Sequence, residues 1–169
     1  EENALWSFAP HDISMILSLL QSEPININAY GGYYLTDNVA DTTMTLMEFD
    51  NGVKAHVFVS WLHPYKDQRL IVVGEKAMVT FIDVEEKKKK LMLYKHDVAW
   101  DKNIPVVEKA EGKIIEFDYE KEPLREECKS FIKWINYNIV PPSDAAEGIR
   151  VLNVLDMAEK ELRKNKLND

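Results

Sequence analysis

Hydrophobic positions near the start of the chain repeat with the period of a helix. The positions that carry this repeat follow the i, i+3, i+4, i+7 spacing of a helix buried on one side, and they are Ile13, Ile16, Leu17 and Leu20. Pro10 precedes the stripe and Pro24 follows it, and proline is disfavoured inside a helix. The pattern therefore predicts a first helix over residues 12–20, with His11 at its entrance.

The middle of the chain changes to patterns that predict β-strands. Segments of apolar, aromatic and β-branched residues are separated by turn-forming residues, and they span residues 27–35, 39–49, 53–62, 68–74, 76–83, 90–96 and 113–120. Asn51-Gly52 and Gly74-Glu75-Lys76 predict two hairpin turns. Gly31-Gly32 predicts a bulge or bend within the first strand, and residues 97–112 are charged and irregular.

Two further helices are predicted after the strands. The first follows Pro123, and its apolar stripe consists of Leu124, Cys128, Phe131, Ile132, Ile135 and Ile139. Ser143 is the predicted N-cap of the last helix, whose predicted core stripe consists of Ile149, Leu152, Leu155, Ala158 and Leu162. This order of elements predicts an α+β fold, with a large, mostly antiparallel (mixed) open sheet and helices on one face.

The predicted strand over residues 53–62 has apolar side chains on both faces. Val57 and Val59 point to one side, and Phe58 and Leu62 point to the other. A sheet with one solvated face would alternate cleanly between apolar and polar residues, and the helices can cover only one face. The pattern therefore predicts a homo-oligomer, a dimer or a tetramer, that packs through the open sheet face.

Composition narrows the class of protein. The 169 residues fit a single domain, with 46% hydrophobic and 30% charged residues. The net charge of −8 disfavours nucleic-acid binding, which needs a basic surface. No apolar run has the length of a membrane span and no signal peptide is evident, so no membrane association is expected. A single cysteine, Cys128, points to a reducing, cytoplasmic location.

Motifs for dinucleotide or metal binding are missing from the sequence. No strand is followed by a GxGxxG turn and a helix, no Walker loop occurs, and no spacing of His, Cys and carboxylates predicts a metal site. The chain begins with Glu1-Glu2 and not with methionine, so we expect further residues upstream.

His11 is the strongest candidate for proton transfer. An imidazole titrates near neutral pH, and the positive end of a helix dipole would favour its neutral, basic form. The alternative is a histidine that only makes local hydrogen bonds at a helix start.

A second cluster of polar and aromatic residues occupies residues 60–69. Trp61 can stack on a sugar or base, His63 adds a polar ring, and Lys66 and Arg69 can hold a phosphate. The alternative is an edge loop anchored by the tryptophan.

Four segments of the chain resemble the C-terminal domain of the glucose–fructose oxidoreductase/inositol dehydrogenase (Gfo/Idh/MocA) family. They are LWSFAPHDISMIL, the stretch from ADTTMTLMEF to GEKAMVTF, EPLREECKSFIKWI and PPSDAAEGIRVLNVLDMAEK, and together they span nearly the whole chain. The Trp-Leu-His-Pro segment is most similar to the branch that oxidises C3 of UDP-N-acetylhexosamine-type sugars.

The resemblance implies the substrate-binding and oligomerisation domain of an NAD(P)-dependent sugar oxidoreductase. NAD or NADP would bind mainly to an N-terminal Rossmann domain that is absent from this chain, and the chain alone would be inactive. His11 matches the histidine that takes the proton from the hydroxyl losing hydride. The implied substrate wall consists of Trp6, Ser7, Trp61, His63, Lys66 and Arg69. Many relatives carry Asp where Ser7 stands, which removes a carboxylate partner for the histidine.

Two functions from different classes fit these observations. The first is the domain of an oxidoreductase acting on a sugar or nucleotide sugar, as the resemblance implies. The second is a non-catalytic module that binds a sugar nucleotide or drives assembly with the same fold. The sequence upstream of Glu1 discriminates between them, because only the enzyme needs a glycine-rich βαβ unit there.

Overall fold

The computed structural model describes residues 2–96, 98–107 and 110–167. In chain order, its elements are α1 (Ala4–Leu20), β1 (Pro24–Gly32), β2 (Thr42–Phe49), β3 (Lys54–Ser60), β4 (Arg69–Val73), β5 (Ala77–Ile82), a 3-10 turn (Lys87–Lys89), β6 (Leu91–Lys95), β7 (Val98–Asp101), β8 (Ile104–Val107), β9 (Lys113–Ile114), α2 (Pro123–Tyr137) and α3 (Ala145–Lys166). The packing forms two compact units, residues 1–63 with 133–169 (the first unit) and residues 64–132 (the second unit).

The first unit contains an antiparallel sheet with strand order β1-β2-β3. Helices α1 and α3 pack against each other and against one face of this sheet. Side chains from the inward face of the strands and from both helices form the core, which includes Leu5, Ile13, Leu17, Met47, Phe49, Val57, Val154 and Leu155. The α+β fold and the hydrophobic stripe of the first helix are thus confirmed.

Helix α1 begins eight residues earlier than the apolar stripe predicts. Asn3 caps the helix, and its side chain accepts a hydrogen bond from the backbone N–H of Trp6. Pro10 lies inside the helix, where it has no N–H to donate to the carbonyl of Trp6 one turn earlier. Burial of Leu5 and Ala9 keeps this first part helical despite the proline. The predicted start was therefore wrong, and His11 lies within the helix and not at its entrance.

The hairpin turns were predicted correctly, but the role of the paired glycines was not. Gly52 has a φ of +82° in the β2–β3 turn, which favours glycine. Gly31 and Gly32 keep a regular register with Thr43 and Thr42, and the irregularity lies between Pro24 and Asn26 instead. A Cβ at Gly32 would overlap the ring of Tyr34, so the glycine makes room for an aromatic ring.

The strands do not pair into the one large, mixed sheet that the sequence predicted. The described residues form three sheets with antiparallel pairing throughout, and the second unit holds the order β4-β5-β6-β9 and the β7–β8 hairpin. That hairpin lies in the segment predicted as irregular, and its turn uses positive φ angles at Lys102 and Asn103. The strand predicted over residues 113–120 is reduced to Lys113–Ile114.

The two C-terminal helices exist as predicted, but their buried faces differ from the predicted stripes. Helix α2 has no buried residue, and Cys128 is exposed. The prediction that the apolar stripe of this helix, with Cys128, packs in the core is therefore wrong. The N-cap of α3 is Asp144 and not Ser143, because the Asp144 side chain accepts from the backbone N–H of Glu147 at 2.9 Å. The predicted core positions Ile149 and Leu152 are exposed, and Val151 and Val154 are buried instead.

None of the helices in the described ranges is both long enough and apolar enough to traverse a bilayer.

Substitution of Thr45 by valine tests the packing beneath α1 and α3. Thr45 is fully buried, and within the described structure its hydroxyl has no hydrogen-bond partner. We expect Thr45→Val to raise the free energy of unfolding by about 1 kcal/mol, because an unsatisfied buried hydroxyl is replaced by a methyl group of similar size. Chemical denaturation measures the change.

Thr42→Val on the same strand is the matched control. The Thr42 hydroxyl lies 2.8 Å from that of Ser60, so this substitution removes a hydrogen bond and should not stabilise the protein. An unfolding free energy that falls equally in both variants would contradict the assignment of Thr45.

Candidate functional site

The segment Ala40–Asp41 joins two of the regions that the sequence nominates for function. The backbone N–H of Ala4, at the start of α1, donates to the carbonyl of Ala40 at 2.9 Å. The backbone N–H of Trp61, just after β3, donates to the carbonyl of Asp41, also at 2.9 Å. The first turn of α1 and the end of β3 are thereby held at the same end of the sheet.

The side chain of Asp41 fixes the loop that precedes it. The residue is 1% exposed, and its Oδ2 atom accepts hydrogen bonds from the backbone N–H groups of Tyr34 at 2.6 Å and Leu35 at 2.7 Å. A carboxylate that accepts from backbone N–H groups makes stronger hydrogen bonds than a neutral acceptor. Asp41 therefore connects the end of β1 to the Ala40–Asp41 junction.

His11 lies on an accessible face of α1. Ser7 is four residues earlier on the same helix, so the two side chains share one face, and the imidazole of His11 is exposed to solvent. His11 lies beyond the first turn of α1, where the effect of the helix dipole has decayed, so the argument from a helix entrance does not apply to it. Burial raises the pKa of the adjacent Asp12 above its ordinary value of 3.8, and the nearby His11 offsets part of this rise.

Trp6 is held by a carboxylate from α3. Glu159 accepts hydrogen bonds from the Asn3 amide at 2.8 Å, from Nε of Arg163 at 2.9 Å and from the Trp6 side chain. Burial raises the pKa of Glu159, but these hydrogen bonds and the charge of Arg163 together lower it below its ordinary value of 4.5. The Glu159 clamp, formed by Glu159 with Asn3, Trp6 and Arg163, fixes the first turn of α1 against α3.

Trp61 and His63 follow β3, and both are exposed. The ring of His63 lies 5.7 Å from that of Phe58, centroid to centroid, at an angle of 40°. Phe58 projects from the sheet face opposite to the inward-facing Val57 and Val59. His63 is therefore associated with the open face and not with the helix face that carries His11.

Lys66 and Arg69 belong to the second unit, and each forms an ion pair there. Nζ of Lys66 lies 3.4 Å from Asp83, and the guanidinium of Arg69 lies 3.3 Å from Asp67. These pairs are solvent-exposed, so each contributes little stability. Their predicted contact with a substrate phosphate stays a prediction.

Asp41 and Glu159 are the residues that sequence reasoning missed. By the two-residue alternation of the strand, Asp41 falls on the same buried face as Thr43, Thr45 and Met47. A charged residue at a position predicted to be buried was the available sign that Asp41 has a structural role. Glu159 follows the buried Ala158 on α3, but nothing in the sequence pairs it with Asn3. The described part of the chain contains no group of three or more His, Cys, Asp or Glu residues arranged to hold a metal ion.

Comparison with known proteins supports the resemblance seen in the sequence. Residues 1–80 match the family model described as the GFO/IDH/MocA C-terminal domain, which confirms the resemblance over that stretch. Among functionally curated proteins, none matches the chain.

Solved structures share the fold. The UDP-N-acetylglucosamine 3-dehydrogenase GnnA from Acidithiobacillus ferrooxidans is 17% identical, with a TM-score of 0.79 over 98% of this chain and 49% of its own. The WlbA dehydrogenase from Bordetella pertussis, in complex with NADH and UDP-GlcNAcA, is 15% identical, with a TM-score of 0.69 over 98% of this chain and 45% of its own. A putative oxidoreductase from Magnetospirillum magnetotacticum is 25% identical, with a TM-score of 0.68 over 90% of this chain and 47% of its own. The chain thus spans about half the length of the solved structures it matches.

Substitution of Glu159 by glutamine tests the clamp through its pH dependence. Because the folded-state pKa of Glu159 is lowered, its ionised form stabilises the fold above pH 4.5, and this contribution is lost as pH falls through the folded-state pKa. We expect Glu159→Gln to lower the unfolding free energy near neutral pH and to differ least from the parent in acid.

Glu161→Gln is the control, because it removes the same charge from the same helix without touching Asn3 or Trp6. Denaturation curves at several pH values give the comparison. A stability gap for Glu159→Gln that did not change with pH would contradict the role of its charge.

Proposed function

We propose that this chain is the substrate-binding and oligomerisation domain of a cytoplasmic, NAD(P)-dependent oxidoreductase that acts on a sugar or nucleotide sugar. The match to the family model and the similarity to solved dehydrogenases of UDP-sugars support this proposal. An N-terminal Rossmann domain would complete the full protein, and the substrate would be a derivative of a UDP-N-acetylhexosamine.

The nicotinamide cofactor is assigned to the N-terminal domain because the residues present here do not fit it. A dinucleotide needs a glycine-rich turn between a strand and a helix. Gly31 and Gly32 lie within β1, and the space beside them is taken by the rings of Tyr33 and Tyr34. These glycines therefore do not form the turn that would hold the cofactor's phosphates, and we assign to this domain the binding of the substrate.

The single observation that carries the proposal is the exposed imidazole of His11 on a helix anchored at its first turn. The Glu159 clamp and the backbone bond from Ala4 to Ala40 fix that turn, so residues on this face of α1 have a defined position. Such an imidazole can accept a proton from a substrate hydroxyl at neutral pH. Trp6, Ser7, Trp61 and His63 are proposed as substrate-wall residues.

A non-catalytic module is the second candidate. Ser7 favours it. The resemblance implies an aspartate at that position, and a hydroxyl can orient His11 but cannot stabilise its charge. The sequence upstream of Glu1 separates the two. A glycine-rich βαβ unit there supports the enzyme, and an unrelated region supports the module.

Homo-oligomerisation is supported by the open face of the first unit's sheet. Tyr30, Met44 and Phe58 lie side by side across the three strands and are 54%, 43% and 47% exposed. The next row contains Leu46, and the row beyond it is polar, so the apolar patch has a polar rim. An exposed patch of this kind is typical of an interface, and a second copy packing face to face would cover both patches.

His11→Asn in the full protein tests the catalytic proposal. We expect turnover to fall by roughly 10²–10⁴, because the substitution removes a proton-transfer group. We expect the melting temperature to be retained, because the ring is exposed. His96→Asn, which changes a histidine of the second unit, is the control and should keep parental turnover. Parental turnover in the His11 variant would exclude it as the base.

Phe58→Glu tests the open face as an interface. In light scattering at micromolar concentration we expect the chain to have at least twice its 19.6 kDa monomer mass, and the variant to shift towards monomer, because a charge would be buried in the apolar patch. Leu19→Glu changes an apolar residue on α1 that is exposed at least as much as Phe58, and it should leave the mass unchanged. A parental chain that is monomeric would refute the proposal.

A further inference from the structure

The first unit contains a pocket at the end where α1 begins and α3 ends. It has a volume of about 660 Å³, within the range of roughly 300–1,000 Å³ that is typical of small-molecule sites. The lining side chains with polar or aromatic chemistry are Asn3, Tyr33, Asn38, Glu159, Arg163 and Lys166. Glu159 belongs both to this pocket and to the clamp that holds Trp6, so the pocket adjoins the candidate site.

Two cationic side chains face a single carboxylate in this pocket. Arg163 uses Nε to pair with Glu159 at 2.9 Å, and its guanidinium carries four further N–H groups. The ammonium group of Lys166 lies 4.3 Å from the centre of the Tyr33 ring and donates to the backbone carbonyl of Asp37. The pocket therefore has a net positive charge in a chain whose overall charge is −8.

The two helix ends at the pocket contribute little net electrostatic potential, so the charged side chains determine it. The N-terminal end of α1 carries a partial positive charge, and the C-terminal end of α3 carries a partial negative charge, so the two dipoles oppose each other there. Arg163 and Lys166 thus determine which charge the pocket prefers. A planar guanidinium beside an ammonium group suits the oxygens of a phosphate.

We propose that this pocket binds the diphosphate of a nucleotide-sugar substrate, with Arg163 and Lys166 as its ligands. The inference rests on the proposed function for the class of substrate. It assigns phosphate recognition to two cations that line the pocket of the first unit, and not to Lys66 and Arg69 of the second unit. The volume beyond the two cations accommodates the sugar or the nucleoside, and Tyr33 provides an aromatic surface for it.

Calorimetric titration of the 169-residue chain with UDP, UDP-N-acetylglucosamine and uncharged N-acetylglucosamine tests the proposal. We expect the two diphosphates to bind at least about tenfold more tightly than the uncharged sugar, and the Arg163→Gln/Lys166→Gln variant to lose about tenfold or more for the diphosphates. Lys160→Gln/Lys164→Gln removes the same charge from α3, where both lysines pair with acidic neighbours, and should bind as the parent does.

Two further variants keep the result decisive. Lys166→Gln alone leaves the Glu159 clamp intact, so it tests the proposal even if the fold of the double variant is disturbed. We expect it to weaken diphosphate binding as well. Lys66→Gln/Arg69→Gln tests the alternative prediction that these two residues hold the phosphate, and the pocket proposal expects this variant to bind as the parent does. Loss in that variant, with parental binding in the pocket variants, overturns the pocket and leaves the proposed function in place.

Titration with inorganic diphosphate separates the two proposals. If it binds in a manner that depends on Arg163 and Lys166 while UDP-N-acetylglucosamine does not bind, the pocket is an anion site and the proposed substrate is wrong. If neither inorganic diphosphate nor UDP binds, the pocket proposal is overturned.

Discussion

The geometry of the candidate site depends on one buried carboxylate. Asp41 is linked through its backbone N–H to Gly32, through its carbonyl to Trp61 and through its side chain to Tyr34 and Leu35. The preceding residue, Ala40, accepts from the start of α1. The ends of β1, β3 and α1 therefore converge on two consecutive residues. The two hydrogen bonds to Oδ2 of Asp41 offset part of the cost of burying its carboxyl group, while Oδ1 is buried without a hydrogen-bond partner within the described ranges.

The two faces of the first unit's sheet have different surroundings. Alternation along β2 and β3 sends Thr45, Met47 and Val57 beneath the helices and leaves Met44 and Phe58 on the opposite side. The helix face carries the anchored α1 with His11, and the opposite face exposes apolar side chains to solvent. Because the period of a strand is two residues, a single stretch of sequence supplies the side chains of both faces.

Periodicity predicted those features that depend only on neighbouring residues. The stripe of Ile13, Ile16 and Leu17, the turn at Gly52 and the two-faced strand all follow from local spacing. The start of α1 was missed because proline was given more weight than the cap at Asn3 and the burial of Leu5, and tertiary packing overrode the local penalty.

Within the site, sequence reasoning nominated side chains but not the groups that hold them. His11 and Trp6 could be chosen from their chemistry, since imidazole and indole have recognisable uses. Glu159 could not be chosen in this way, because its structural role depends on a contact with Asn3, which is distant in the sequence. The ion pairs of Lys66 and Arg69 were likewise invisible, since acidic partners are common on a surface and spacing does not single them out.

That contact has a consequence for how the domain is made. Asn3 and Glu159 are separated by 156 positions, so a ribosome must finish nearly the entire domain before the first turn of α1 meets its partner. The entropy of closing so long a loop is recovered only at that late step. The pairs β1–β2 and β2–β3 join strands that are neighbours in the sequence, so their contacts close far shorter loops than the contact between Asn3 and Glu159 does. Residue 159 must therefore be synthesised before the end of the domain that carries Trp6 can assemble fully.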